Sequence, residues 1–328
     1  MAARASGWCS QRRSGTSRRR TPYTCSTPSG PPVTAKSQSA VVPQDMTLFV
    51  RLHHGRMEFF EDFAEYATEH RDRLEEMAGR SLVRPFESVR LLPPLMTPNK
   101  VVCAGNSYAA YLVDRGLTEE EWPKDVKISF FKPSSALIAH GETIRFPPDS
   151  EQWDYETELA IVIGKTCSDV TQEEAKSRIF GYTILNDACV RDIPRWTGRL
   201  DSPRGKAVDT LAPFGPCIAP ATHLAGDPND LHLTTTVDGE LRQNDRTSGL
   251  LWPVERIVAF ISRYIRPVPG DVISTGSPQG NALICGKWLR PGQRIRCEIE
   301  GIGALENPID RRQWTAELPP LDPSKTGP

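Results

Sequence analysis

From Lys100 onward the chain is cut into short apolar segments, VVCAG, ISFF, ELAIVIG, GYTILND, LHLTTTVDGE, DVISTG and RIRCEIEG, separated by Gly, Pro, Asp and Asn. They are rich in Val, Ile, Thr and Phe, residues that pack well on a pleated surface. Segments this short cannot supply the helices of a bundle, so the pattern predicts a mostly antiparallel β domain. Helical spacing recurs twice here. TQEEAKSRIF opens with a Thr and carries a Glu three residues on, the spacing of a capping box, and PVERIVAFISRYI places Val254, Ile257, Val258, Ile261 and Ile265 on one face. The class is therefore α+β, mainly β. No repeat of about 20 to 50 residues, GxGxxG or phosphate-binding loop occurs, which leaves nucleotide binding without a motif.

The segment before Lys100 has a different character. MTLFVRLHHGRMEFF places Gly55 between two apolar runs, and EDFAEYATEHRDRLEEMAGR has helical spacing at Phe63, Tyr66, Ala67, Leu74 and Met77, so a hairpin and one helix are expected there. SVRLLPPLMTPNK, with Pro93, Pro94 and Pro98, reads as a linker. The predicted organisation is a basic Ser/Arg/Pro-rich extension over 1–45, a small subdomain and linker over 46–96, the main domain over 97–310 and a loose tail over 311–328. Residues 1–40 hold seven basic residues and no acid. The remaining 33 basic and 41 acidic residues give a net charge of −8, which argues against nucleic-acid binding. A cytoplasmic protein is expected, with mitochondrial targeting the alternative that the basic N-terminus suggests. No apolar run approaches the ~20 residues of a membrane helix. The eight cysteines form no CxxC pair and are expected to be free thiols.

DYETELAIVIGK carries the most chemistry. In a strand, alternate side chains share a face, so Glu156 and Glu158 point the same way just before an apolar run. Two such carboxylates repel each other unless a cation lies between them, and oxygen donors without a nearby His or Cys suit Mg²⁺ or Mn²⁺. An edge strand with both glutamates in water is the alternative. GYTILND ends its strand with Asn186 and Asp187, a third carboxylate on a rigid frame or the cap of a turn. Arg191 and then Lys206 in RGKAVD follow. A lysine beside a carboxylate-bound cation would neutralise an anionic substrate or enolate, and a solvated loop lysine is the other reading.

Taken in order, KVVCAGNSY, FFKPSSALI, DYETELAIVIGK, GYTILNDACVRD, GKAVDTLAPFGP, VDGELRQNDRTSGLLWPVERIVAFIS, PGDVISTGSPQG and EGIGALENP resemble the C-terminal catalytic domain of the fumarylacetoacetate hydrolase superfamily over about residues 97–309. The resemblance implies a β-roll or distorted barrel of mixed sheets with flanking short helices, a homodimer, and one Mg²⁺ or Mn²⁺ per chain. It also implies a 2-oxo acid or 1,3-diketone substrate, handled by carbon–carbon bond hydrolysis, decarboxylation or keto–enol tautomerisation. Position by position, Glu156, Glu158 and Asp187 match the metal ligands and Lys206 the lysine facing the substrate. Ser277 matches a hydroxyl that holds the substrate carboxylate, and Arg191 an arginine beside the ligands.

One stretch departs from the family pattern. Many members place a histidine and, three residues later, an acid as a proton-transferring dyad; in SYAAYLVD those positions are Tyr111 and Asp114. A phenol, with a reference pKa near ~10, is a poor base at neutral pH. Pro194 lies near a position where several decarboxylating members have glutamine, and His140 in LIAHGE lies outside the matched position, as an expected exposed hairpin histidine. Two functions remain. One is a divalent-metal enzyme that stabilises an enolate, and the other is a non-catalytic metal-binding homologue acting as a binding or scaffold protein.

Overall fold

The computed structural model describes residues 39–40, 84–85, 90–192 and 202–315. The expected basic extension, apart from a two-residue pairing of Ser39–Ala40 with Arg84–Pro85, lies outside these residues, as do the hairpin and helix expected over 46–79 and the end of the tail.

The strands are β1 (Val101–Gly105), β2 (Lys127–Lys132), β3 (Leu137–Ile138), β4 (Ile144–Phe146), β5 (Trp153–Asp154), β6 (Thr157–Ile163), β7 (Ile179–Asn186), β8 (Cys189–Val190), β9 (Ala212–Pro220), β10 (His232–Val237), β11 (Glu240–Arg246), β12 (Val272–Ser274), β13 (Arg294–Ile299) and β14 (Gly303–Arg311). The α-helices are α1 (Ala109–Asp114), α2 (Gln172–Lys176), α3 (Ser202–Lys206), α4 (Val254–Tyr264) and α5 (Ala282–Cys285). A seven-stranded sheet has the order β2-β1-β12-β6-β7-β9-β3, and a five-stranded sheet has the order β11-β10-β13-β14-β4. β8 pairs with β5. Most neighbours are antiparallel, while β1 with β12, β3 with β9 and β4 with β14 run parallel. This is the mainly β architecture that the short segments predict, with the mixed sheets that the family resemblance implies.

The apolar run of β6 makes it the middle strand of the larger sheet, buried on both faces. Leu159, Ile161 and Ile163 enter the main core, with Leu233, Ile295 and Ile299 of the smaller sheet and Ile257 and Ile261 of α4. Ala160 and Val162 point the other way, into a second core with Val101, Cys103, Leu185 and Phe214. The proline-rich 91–98 segment also belongs to this second core, because Leu95 packs into it at 1% exposure.

Both helices expected after Lys100 form. Thr171 and Glu174 make the reciprocal capping box, but α2 ends at Lys176, because Ile179 and Phe180 already extend as the first residues of β7. In α4, Val254, Ile257, Val258 and Ile261 are buried as the spacing requires. Six cysteines are free among the described residues. No helix among the described residues is long and apolar enough to cross a membrane.

Candidate active site

Antiparallel register brings the three acids together. β6 begins where β7 ends, with Thr157 opposite Asn186 and Glu158 opposite Leu185, and the Asp187 amide donates to the Glu156 carbonyl at 2.8 Å. Glu156 precedes β6, Glu158 lies within it, and Asp187 follows β7. Carboxylate oxygens of the three lie within 4.8 Å of one another, all in buried residues. An exposed edge strand is thereby excluded, since β6 is central and Glu156 and Glu158 are 7% and 2% exposed.

Positive charge surrounds two of the three. The buried Lys206 ammonium bridges Glu156 Oε2 and Asp187 Oδ2, at 2.6 Å from the latter, and lies 5.0 Å from the centre of the Phe130 ring. Burial disfavours the ammonium, but Asp187 and Glu156 outweigh it and hold its pKa well above the usual lysine value. A solvated loop lysine is excluded. Arg191 joins Asp154 to Glu156, with Nη2 at 2.7 Å from Glu156 Oε1, and Asn281 Nδ2 donates to the same oxygen at 2.9 Å. Burial raises the Glu156 carboxyl, yet the charges of Lys206 and Arg191 prevail and hold its pKa at about 2.

Glu158 is different. Ser274 Oγ donates to its Oε2, as does the Gly276 amide at 3.0 Å, but no cation forms an ion pair with it among the described residues. Burial, followed by the charges of Asp187 and Glu156, pushes its pKa well above the carboxylate range. Gly276 has φ +96, and a Cβ there would lie 2.7 Å from Ser107 Oγ, so glycine lets the amide turn towards Glu158.

Lys132, missed in the sequence, is buried at 3% exposure. Its ammonium donates to the carbonyls of Ala188, Lys206 and Leu211 at 3.1, 2.6 and 2.9 Å and lies 2.8 Å from Asp187 Oδ1. Its three protons are engaged by carbonyls, which leaves Asp187 Oδ1 buried with a charge contact but no aligned hydrogen bond. Three convergent hard oxygen donors, one of them on a carboxylate without a counter-charge, fit a divalent ion such as Mg²⁺ or Mn²⁺.

The other expected residues are placed as follows. Ser277 is 8% exposed and follows Gly276 directly, in the loop that meets Glu158. Tyr111 is buried in α1, its hydroxyl accepting from Arg115 Nη1 at 3.0 Å, and burial raises its pKa. Asp114 is exposed at the end of the same helix and is not brought to the acids by any described contact. His140 corrects the expected exposed histidine: it is half-buried, and its Nδ1 accepts from the Glu306 amide at 3.1 Å. Besides Lys132, the sequence reading does not single out Asp154, two residues before Glu156 in the same motif, nor Ser274, Asn281 and Gln243, which hold the site from distant segments.

The profile described as Fumarylacetoacetate (FAA) hydrolase C-terminal matches residues 100–310. The chain belongs to this family. Oxaloacetate tautomerase of Xenopus laevis, a mitochondrial protein, is 32% identical over 227 residues, which are 68% of this chain and 69% of that one. Among solved structures, 2-hydroxyhepta-2,4-diene-1,7-dioate isomerase from Mycobacterium marinum is 37% identical with a TM-score of 0.60, covering 72% of this chain and 83% of that one. Maleylpyruvate hydrolase from Sphingobium sp. SYK-6, in complex with manganese(II) and pyruvate, is 30% identical with a TM-score of 0.63, covering 78% and 86%. These relatives are a tautomerase, an isomerase and a hydrolase. The chain is an enzyme of the same family.

Proposed function

We propose that the protein is a divalent-metal-dependent enzyme, acting as a homodimer, that interconverts the keto and enol forms of a 2-oxo acid. The observation that carries this reading is the buried Lys206 ammonium set against two of three convergent carboxylates. A cation held by Glu156, Glu158 and Asp187, Mn²⁺ or Mg²⁺, supplies Lewis-acid charge to the oxygens of a chelating 2-oxo acid. Ser277 donates to the substrate carboxylate. Lys206, paired with Glu156 and Asp187, places positive charge beside the developing enolate oxygen. Arg191 and Asn281 hold Glu156 in place.

The choice of tautomerisation over hydrolysis follows from α1. Hydrolytic carbon–carbon cleavage needs an activated water, but the Tyr111 phenol is bound to Arg115 and holds its proton more firmly than a free tyrosine does. Enolate stabilisation needs charge rather than a strong base, and the proton exchanged at carbon can be taken up and returned by solvent. Kinship with an oxaloacetate tautomerase supports the same choice. With saturating Mn²⁺, enol–keto conversion of oxaloacetate is expected to exceed cleavage of an acylpyruvate by ~100-fold or more, in keeping with the ~10²–10⁴-fold contributed by a positioned base. Spectrophotometric assays of both reactions test this, and faster cleavage would refute the assignment.

The state of Glu158 implies a pH dependence. Its metal-free carboxyl is protonated over a range in which an ordinary glutamate is ionised, and the proton must leave before that oxygen can ligate. Mn²⁺ affinity should therefore rise with pH, by up to about tenfold per unit, and flatten above the metal-free pKa. Calorimetry between pH 5 and 8, in buffers of different ionisation enthalpy, should count about one proton released per ion at the lower end. A flat profile without proton release would contradict the role given to Glu158.

A further inference from the structure

Gln243 is the one buried residue of β11, a strand otherwise exposed or half-buried, at the edge of the smaller sheet and far in sequence from every acid of the site. A β-bulge places it there. Thr235 of β10 pairs with Gln243 and Thr236 with Leu241, so Arg242 is the extra residue, and bulges redirect the side chains next to them. Gly280 accommodates the bulge, since a Cβ on it would lie 2.3 Å from the Arg242 carbonyl oxygen.

The Gln243 amide spans two parts of the site. Its Oε1 accepts from the Thr157 amide at 3.1 Å and from Thr235 Oγ1 at 2.8 Å. Its Nε2 donates to Ser277 Oγ at 2.9 Å and faces the carbonyls of Pro278 and Gln279 at 3.1 and 3.2 Å. The Thr157 N–H can only donate and the two carbonyls can only accept, so the orientation of the amide is fixed by its partners. Thr157 lies between Glu156 and Glu158. One side chain thus connects the backbone between two ligand glutamates to the hydroxyl expected to meet the substrate. Because Nε2 occupies a lone pair of Ser277 Oγ, the hydroxyl proton is left to be given away; here it points to the Pro278 carbonyl at 3.2 Å.

We propose that Gln243 is the positioning residue that sets the spacing between Ser277 and the Glu156–Glu158 pair and makes the Ser277 hydroxyl a donor to the substrate carboxylate. This rests on the function proposed above. Gln243 itself touches no substrate. It selects 2-oxo acids whose carboxylate lies at a fixed distance from the oxygens that the cation binds.

The test uses full-length protein loaded with Mn²⁺, with pyruvate as a non-reacting probe. Gln243→Glu keeps length and the Oε1 acceptor but removes the donor to Ser277. It should weaken pyruvate binding in calorimetry about tenfold, the scale of one lost hydrogen bond, while Mn²⁺ affinity stays within about threefold. KM for oxaloacetate should rise with it, and kcat should change little. In a Ser277→Ala background the same substitution should add almost nothing, because both changes remove one interaction. Gln243→Met, which introduces no buried charge, should reproduce the pattern if Gln243→Glu does not fold. A wild type that binds Mn²⁺ and pyruvate while both folded Gln243 variants bind pyruvate equally well, or additive effects with Ser277→Ala, would overturn the inference alone. A wild type that binds Mn²⁺ but no pyruvate would overturn the proposed function and this inference with it.

Discussion

Glu158→Gln is expected to abolish measurable Mn²⁺ binding at neutral pH while leaving the metal-free fold nearly as stable as the wild type. The two effects separate because of what Glu158 touches. Without a cation its carboxyl, whose pKa burial and the neighbouring acids raise, accepts from Ser274 Oγ and the Gly276 amide, and a glutamine has the same shape with an oxygen that can accept both bonds. The amide cannot supply a negative oxygen to an ion. Altering even an outer partner of a metal ligand typically costs about 10- to 100-fold in affinity, so loss of one of three anionic ligands should cost on the order of 1,000-fold or more. Calorimetry gives the affinity. The rise in thermal midpoint on adding Mn²⁺, present in the wild type by mass action, should vanish in the variant. Unchanged Mn²⁺ affinity would remove Glu158 from the site.

The sequence showed this site in part because its central elements are local. Glu156 and Glu158 share a strand face by simple alternation, and Asp187 closes the next segment of the sheet, so a short stretch of text nearly contains the three acids. The strands VVCAG, ELAIVIG and RIRCEIEG form where their β-branched runs lie, and the capping box fixes the start of α2. The end of α2 is not legible in the same way. Ser177 through Phe180 keep a plausible helical pattern, but pairing with β6 draws Ile179 and Phe180 into β7.

β9 was legible only as part of a family block, because Pro213, Pro216 and Pro220 interrupt its pattern. The sheet accepts them beside a register shift, with only a two-residue pairing to β3 on its outer side. Lys132, Gln243 and Asn281 could not be read from local spacing. Lys132 looks like the polar end of an edge strand, and Gln243 like a solvent-facing residue of a hairpin. Each acquires its role from partners dozens of positions away, through a buried ammonium among carbonyls or a bulge that redirects one side chain. Asp114 shows the converse. Its position in the family pattern suggested chemistry, while the structure places it on the exposed end of α1.

Lys206→Met should lower turnover on oxaloacetate by on the order of 100-fold or more while Mn²⁺ binding survives or tightens, since loss of a group that stabilises a developing oxyanion typically costs ~10²–10³ in kcat. The opposed directions follow from the place of the ammonium. It supplies positive charge to Glu156 and Asp187, two carboxylates assigned to the cation, and therefore competes with that cation electrostatically. Its removal leaves those acids more dependent on a divalent ion. The metal-free variant should lose several kcal/mol of stability, because breaking a buried ion pair on one side typically costs ~3–5 kcal/mol, and Mn²⁺ should restore much of that loss. The enolate is affected in the opposite sense, because it loses the fixed charge at Nζ. Thermal midpoints with and without Mn²⁺, calorimetric affinity and kcat measured on the same preparations separate these contributions. A variant that keeps wild-type kcat would show that Lys206 balances the carboxylates without serving the reaction, and one that loses metal affinity along with turnover would show that it builds the cation site itself.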